Sequence, residues 1–164
     1  VAVSDLSAHI GRTTAVGTLV VERAPITAFA RAVGADDPVY RNADAARSAG
    51  FDDVPAPPTY GFSIQNWGRW EELQPAEQPE GNPLAEVMGG LMATGGMVLH
   101  GEQEFLYHRP LVVGQRLHFR GEVKDIYAKA TGDKTMTFMV IEDTYRDGDG
   151  NLVLTSTMNL LHRS

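Results

Sequence analysis

Polar and apolar positions change period along the chain. After a first dozen residues ending in Ile10-Gly-Arg12, which read as a terminal arm, residues 13–22 are rich in Thr and Val and predict a first strand. Pro25 suits the first turn of a helix, and Ile26, Phe29, Ala30 and Val33 recur at helical spacing until Gly34 ends the run. Pro38 disfavours helical backbone at Asp37, and the pair Asp36-Asp37 can bond nearby N–H groups, so a rigid bend follows. A second short helix comes next, with Asn42 or Asp44 as its cap and Gly50 placed to close it in a left-handed conformation. Pro57 and Pro58 belong before or in a first turn. Residues 60–73 then contain no proline and carry Phe62, Trp67 and Trp70, which predicts the longest helix, with these aromatics in the core.

From Gly95-Gly96 onward the period is two. Residues 97–109 read as a long strand stopped by Pro110, and 113–115 as a turn. Leu117, Phe119, Gly121 and Val123 then alternate with His118, Arg120, Glu122 and Lys124, a strand with one dry face. Turns at 131–134 and 147–150 separate strands at 135–145 and 151–161, the last with Leu152, Leu154, Met158 and Leu160 on one face. Helices first and an antiparallel meander afterwards make residues 1–164 a single α+β domain. Between the halves, Pro75, Pro79 and Pro83 interrupt residues 74–94, and only 84–92 can be helical. Leu84, Val87, Met88, Leu91 and Met92 give that segment an apolar side too large to leave in water.

Composition narrows the classes. With 164 residues, 43% hydrophobic and 21% charged, the chain can bury a real core. No apolar run approaches a membrane span and the first residues lack a basic-then-apolar leader, so a cytoplasmic protein with no membrane partner is expected. The absence of cysteine excludes disulfides, thiolate metal sites and a Cys nucleophile. A net charge of -7 argues against nucleic acid as a partner and leaves room for a local basic patch facing a coenzyme's phosphates. Asp147-Gly-Asp-Gly-Asn151 mimics the start of a calcium loop, but Leu152 stands where such a loop needs its sharp-turning Gly. His100-x-Glu102 lacks the Cys pair of a zinc deaminase, and His9, His108, His118 and His162 lack i, i+4 spacing. No metal and no cofactor are expected.

The segment Phe29-Ala-Arg-Ala-Val-Gly34-Ala-Asp-Asp-Pro-Val-Tyr40, with the helix at residues 43–50 and the Ala56-Pro-Pro-Thr-Tyr60 entry, resembles the hydratase signature of the MaoC-like (R)-specific enoyl-CoA hydratases and 3-hydroxyacyl dehydratases. His100-Gly-Glu-Gln-Glu-Phe-Leu-Tyr-His-Arg-Pro-Leu111 resembles the second-strand region of the dehydratase-like N-terminal domains of that family. The resemblance covers nearly the whole chain and implies a hot-dog fold, a curved antiparallel sheet wrapped around a central helix, here at residues 60–73. It also implies a catalytic aspartate and, five residues on, a histidine. Ala35 stands at the aspartate position and Tyr40 at the histidine position. Alanine cannot move a proton, and a tyrosine near its ordinary pKa is a poor base at neutral pH.

The resemblance therefore implies a subunit of a hydratase or dehydratase that lacks the Asp/His pair and shapes the acyl channel beside a catalytic hot-dog partner. Its substrate would be carried as an acyl-CoA or acyl carrier protein thioester. A backbone N–H at the central-helix start polarises the thioester carbonyl in the family, which falls here at Thr59 beside Tyr60 and Gly61. Met88 and Met92 are expected to border the channel, the alternative being a plug at one end of the fold. Two other readings stay open: an acyl-thioester binding or scaffold protein without turnover, and a homo-oligomeric hydratase using a displaced set from Asp36, Asp37, Tyr40 and His100. A single unit leaves a sheet edge unpaired, so a homo- or hetero-oligomer is expected. The thioesterase version of the fold needs a carboxylate on or just before the central helix. Residues 59–70 contain none.

Overall fold

A computed structural model describes residues 6–132 and 134–163. Five strands, β1 (Thr13–Val20), β2 (Met97–Tyr107), β3 (Arg116–Thr131), β4 (Lys134–Arg146) and β5 (Leu152–Arg163), form one antiparallel sheet in the order β1-β3-β4-β5-β2. The helices α1 (Arg23–Ala32), α2 (Ala43–Ser48) and α3 (Pro83–Met92) all precede β2, so the α+β reading holds and the arrangement is a single hot-dog unit. Of the turn expected at 131–134, Asp133 lies outside the described residues, as do positions 1–5 of the terminal arm.

Local chemistry explains most elements. The Asn42 side chain accepts from the N–H groups of Asp44 and Ala45 and starts α2, while Gly50 at φ 92° ends it. Asp37 accepts from the Val39 N–H and fixes the bend, and Pro38–Tyr40 forms one 3₁₀ turn. α1 buries Ile26 and Ala30, but Val33, expected on the same face, is 51% exposed because the helix has already ended at Ala32.

The long helix expected at residues 60–73 does not form. Three short 3₁₀ turns, Pro58–Phe62, Ile64–Asn66 and Glu71–Leu73, take its place. Only Tyr60 and Ile64 of this stretch insert into the core, whereas Phe62, Trp67 and Trp70 lie 52%, 52% and 41% exposed. One helical turn of apolar contact gives little to extend along, and glycine is a poor helix former. Gly68 decides the break. It sits at φ 74°, accepts from the Val20 N–H at 2.9 Å, and has no room for a Cβ against the Val20 carbonyl. The backbone of residues 60–73 is thereby drawn to the edge of β1. Gln74 extends this cover, its Oε1 accepting from the Thr18 N–H and its Nε2 donating to the Thr18 carbonyl. The β1 edge is thus capped within the chain. Among the described residues β2 has no comparable cover, and it exposes Met97, Leu99 and Leu106.

The core has two parts. Tyr60 and Ile64 join Leu19, Ile26, Leu117 and Leu154 at one end of the sheet. At the other end α3 lays Val87, Met88 and Leu91 on Val123, Ile126, Met139 and Ile141, with Leu6 from the terminal arm. Leu117, Phe119, Gly121 and Val123 are all buried, as their alternation requires.

Candidate functional site

A largely apolar cleft of about 340 Å³ opens where the bend, the Pro58–Phe62 turn and the end of β2 meet. Tyr40, Pro55, Ala56, Pro58, Tyr107 and His108 are among its lining residues, so the position expected to hold a histidine faces a cavity. Ala35 lies on the bend, its carbonyl accepting from Arg41 Nη2 at 2.9 Å, and the same guanidinium pairs with Asp36. Asp36 is therefore engaged with Arg41, and Asp37 caps Val39. Neither carboxylate lines the cleft. His108 stands on the lining with its Nε2 at 3.2 Å from Thr155 Oγ1. Arg109 is held by Asp147 at 2.6 Å, and this hydrogen bond brings the Asp147 carboxyl down to about 2. Asp147 also closes the 147–150 turn by accepting from the N–H groups of Asp149 and Asn151.

The Pro58–Phe62 turn carries the three residues expected to support a thioester carbonyl. Tyr107, on β2, staples it: the hydroxyl donates to the Pro58 carbonyl and also meets the Gly61 backbone N–H. Burial pushes this phenol up to about 12, partly offset by the Gly61 contact. The Tyr60 N–H donates to the Pro57 carbonyl at 2.9 Å. The Tyr60 side chain is buried edge-on against Phe29, so it contributes to the core rather than to the cleft.

A second cavity, of about 200 Å³, lies on the inner face of the sheet beyond Gly61. It is lined by Gly61, Phe62, Gln65, Gln103, Asp143 and Ser156, among others. Gln65 Nε2 donates to Asp143 Oδ2 and to the Tyr145 hydroxyl, both at 2.9 Å. Burial raises the Asp143 carboxyl to about 6, against the lowering effect of Gln65. Across the floor, Gln103 Nε2 donates to Ser156 Oγ at 2.8 Å and to the Thr157 carbonyl at 3.2 Å. His100 lies further along β2 with its ring against Phe62, centroids 5.1 Å apart, and a contact of 3.1 Å to the Glu102 carbonyl.

Residues 8–156 match the family described as the FAS1-like, dehydratase domain region. The chain belongs to this dehydratase-domain family. A UPF0336 protein of Streptomyces griseus subsp. griseus is 33% identical over 144 residues, covering 88% of this chain and 85% of that protein. A probable enoyl-CoA hydratase alpha subunit of Thermomonospora curvata is 32% identical over 139 residues, 81% of this chain and 42% of that protein. Among solved structures, the ChsH1-ChsH2 complex from Mycobacterium tuberculosis contains a chain with the same fold, at a TM-score of 0.73, 24% identity, and coverage of 97% of this chain and 87% of that one.

Of the candidates named from the sequence, Tyr40 lines the cleft and Gly61 lines the polar cavity. The polar side chains of that cavity were not singled out. Asp143 and Gln65 are 78 residues apart and meet only through tertiary packing. A clue was present in the alternation of β4, where Asp143 falls on the inward parity with Met139, Ile141 and Tyr145 and puts a carboxyl beside these large side chains. Met88 and Met92 separate: Met88 is buried in the core under α3, while Met92 is 57% exposed, and neither lines these two cavities.

Proposed function

We propose that this chain is the subunit without the acid/base pair in a two-chain (R)-specific enoyl-thioester hydratase, equivalently a 3-hydroxyacyl-thioester dehydratase, and that it shapes the acyl channel beside a catalytic hot-dog partner. One observation carries the reading. Among the described residues, the cleft at Tyr40 is lined by no carboxylate, and the histidine on its lining, His108, meets Thr155 and no acidic side chain. Hydration needs a group to take a proton from water as its oxygen adds to the β-carbon, and a group to return a proton to the α-carbon. In this assignment the partner's Asp/His pair supplies both, and this chain supplies walls.

Tyr40 and the apolar lining contact the thioester arm, carried by coenzyme A or an acyl carrier protein. Of the residues expected at the oxyanion position, Tyr60 and Gly61 have their N–H groups engaged, which leaves Thr59 for that role. The capped β1 and the apolar, uncovered β2 favour β2 as the edge that pairs with the partner's sheet. The solved ChsH1-ChsH2 structure that shares the fold is itself a complex.

The test is turnover. Purified alone, the chain should hydrate crotonyl-CoA and longer trans-2-enoyl-CoAs negligibly, since losing acid/base help typically costs about two to four orders of magnitude. Co-purified with a hot-dog chain that carries the Asp/His pair, it should turn over. Ordinary hydratase rates from the chain alone overturn the assignment.

A further inference from the structure

The inner-face cavity is built differently from a channel for a plain alkyl chain. Its walls include Phe62 and Met158, but its floor presents Asp143, Gln103 and Ser156. Two oxygens there are acceptors. Gln103 Oε1 is buried with no hydrogen-bond partner among the described residues. The orientation of that amide is fixed by its neighbours: Nε2 donates to the Thr157 carbonyl, which can only accept, so Oε1 is the atom left over. Asp143 accepts from Gln65 through Oδ2, and the carboxylate has capacity beyond that bond.

A buried acceptor without a donor is destabilising, and such a group calls for an explanation. Nothing in the apolar packing of the fold requires Gln103 or Asp143 on the inward parity, where Phe105 and Ile141 stand beside them. Gly121 opposite Asp143 leaves the carboxylate the space it occupies, since a Cβ there would lie against Asp143 Oδ1.

We infer that this cavity receives a hydroxyl group carried on the acyl chain far from the thioester, distinct from the 3-hydroxyl that dehydration removes, so that the acyl group served by the complex is hydroxylated at its distal end. This rests on the acyl-channel reading above. The hydroxyl donates to Gln103 Oε1 or to Asp143, and accepts from the Ser156 hydroxyl, which keeps its own proton while receiving the Gln103 N–H. A hydroxyl fits this mixed set better than an ammonium, which has no acceptor to offer Ser156. Tyr107 at the cleft and Gln103 at the cavity are inward residues of the same strand, four positions apart. Four residues of strand span roughly 13 Å, the reach of a medium-length extended acyl chain.

The experiment titrates the full chain calorimetrically with two ladders of coenzyme A thioesters, from hexanoyl to dodecanoyl. One ladder is unsubstituted and the other carries a terminal hydroxyl. At the length that reaches the cavity, the hydroxylated thioester should bind at least about tenfold more tightly, because a donor then meets an acceptor otherwise left unpaired. Gln103→Leu should erase that preference by tightening the unsubstituted thioester and weakening the hydroxylated one, while leaving the Asp143–Gln65 bond in place. Asp143→Asn, which keeps an acceptor of the same shape, should retain a reduced preference. Equal binding along both ladders overturns the hydroxyl inference and leaves the acyl-channel reading standing. A Gln103→Leu chain that keeps the full preference also overturns the inference. No binding of either ladder overturns the acyl-channel reading and this inference with it.

Discussion

Asp143→Asn gives a sharp test of the electrostatics of the inner face. The carboxyl is raised from its ordinary 3.8 to about 6 by burial, with Gln65 opposing. A raised carboxyl binds its proton more tightly in the folded chain than in the unfolded one. Its contribution is therefore most favourable below pH 4, declines as pH rises from about 4 to about 6, and is constant above that. The shift of about two units corresponds to about 3 kcal/mol as an upper limit, since one unit is about 1.4 kcal/mol. Water entering the cavity screens the charge, so a range of about 1–3 kcal/mol is expected at pH 8, of which about half develops between pH 5 and pH 8. Asparagine has nearly the same shape, still accepts from Gln65, and carries no charge. The assay is urea unfolding of both chains at pH 5 and pH 8. Taking the difference between chains at each pH cancels the other titrating groups, and the mutant should gain about 0.5–1.5 kcal/mol on the wild type in going from pH 5 to pH 8. An unchanged difference between the two pH values refutes a desolvated, ionising Asp143. A mutant that loses ground as pH rises would mean that the carboxylate is stabilised by its surroundings, which refutes desolvation as the dominant effect.

Four further outcomes follow from the same structure. Met88→Ala should cost about 2–4 kcal/mol because the side chain is buried under α3, while Met92→Ala should stay within about 0.5 kcal/mol, both read by denaturant unfolding. Tyr107→Phe strips the hydroxyl that bridges the Pro58 carbonyl and the Gly61 N–H, and should cost about 1–3 kcal/mol. Ala35→Asp with Tyr40→His should give the lone chain measurable hydration of crotonyl-CoA if the scaffold retains the family geometry, and no gain would mean that the bend no longer aims those positions at the substrate. Light scattering at micromolar concentration should show an oligomer, and Leu106→Lys on the exposed β2 should shift it toward monomer, whereas a monodisperse wild-type monomer contradicts pairing through that edge.

The sequence by itself determined the class and the frame. Period-two alternation survives folding because one face of β3, β4 and β5 must be dry, so Leu117, Phe119 and Val123 could be assigned before any contact was known. Caps and turns were equally legible, since Asn42, Gly50 and Asp37 act on backbone groups within a few residues of themselves. That Ala35 and Tyr40 stand where the resembled signature carries Asp and His was legible too, because these are identities, not geometries.

Tertiary structure decided the rest. Residues 60–73 look helical in isolation, but the helix would gain burial only for Tyr60 and Ile64, and the edge of β1 recruits Gly68 and Gln74 instead. Competition between a local helix and a distant strand edge is invisible in a one-dimensional pattern. The split of Met88 from Met92 depends on which side of α3 meets the sheet. The inner-face cavity needs Gln65, Gln103, Asp143 and Ser156 from the 3₁₀ segment and three different strands, whose meeting is set by the strand order β4-β5-β2 and by the short turns that replace the long helix. Contacts of that range carry no local signature, because the chain between them is free to place them anywhere until the sheet closes.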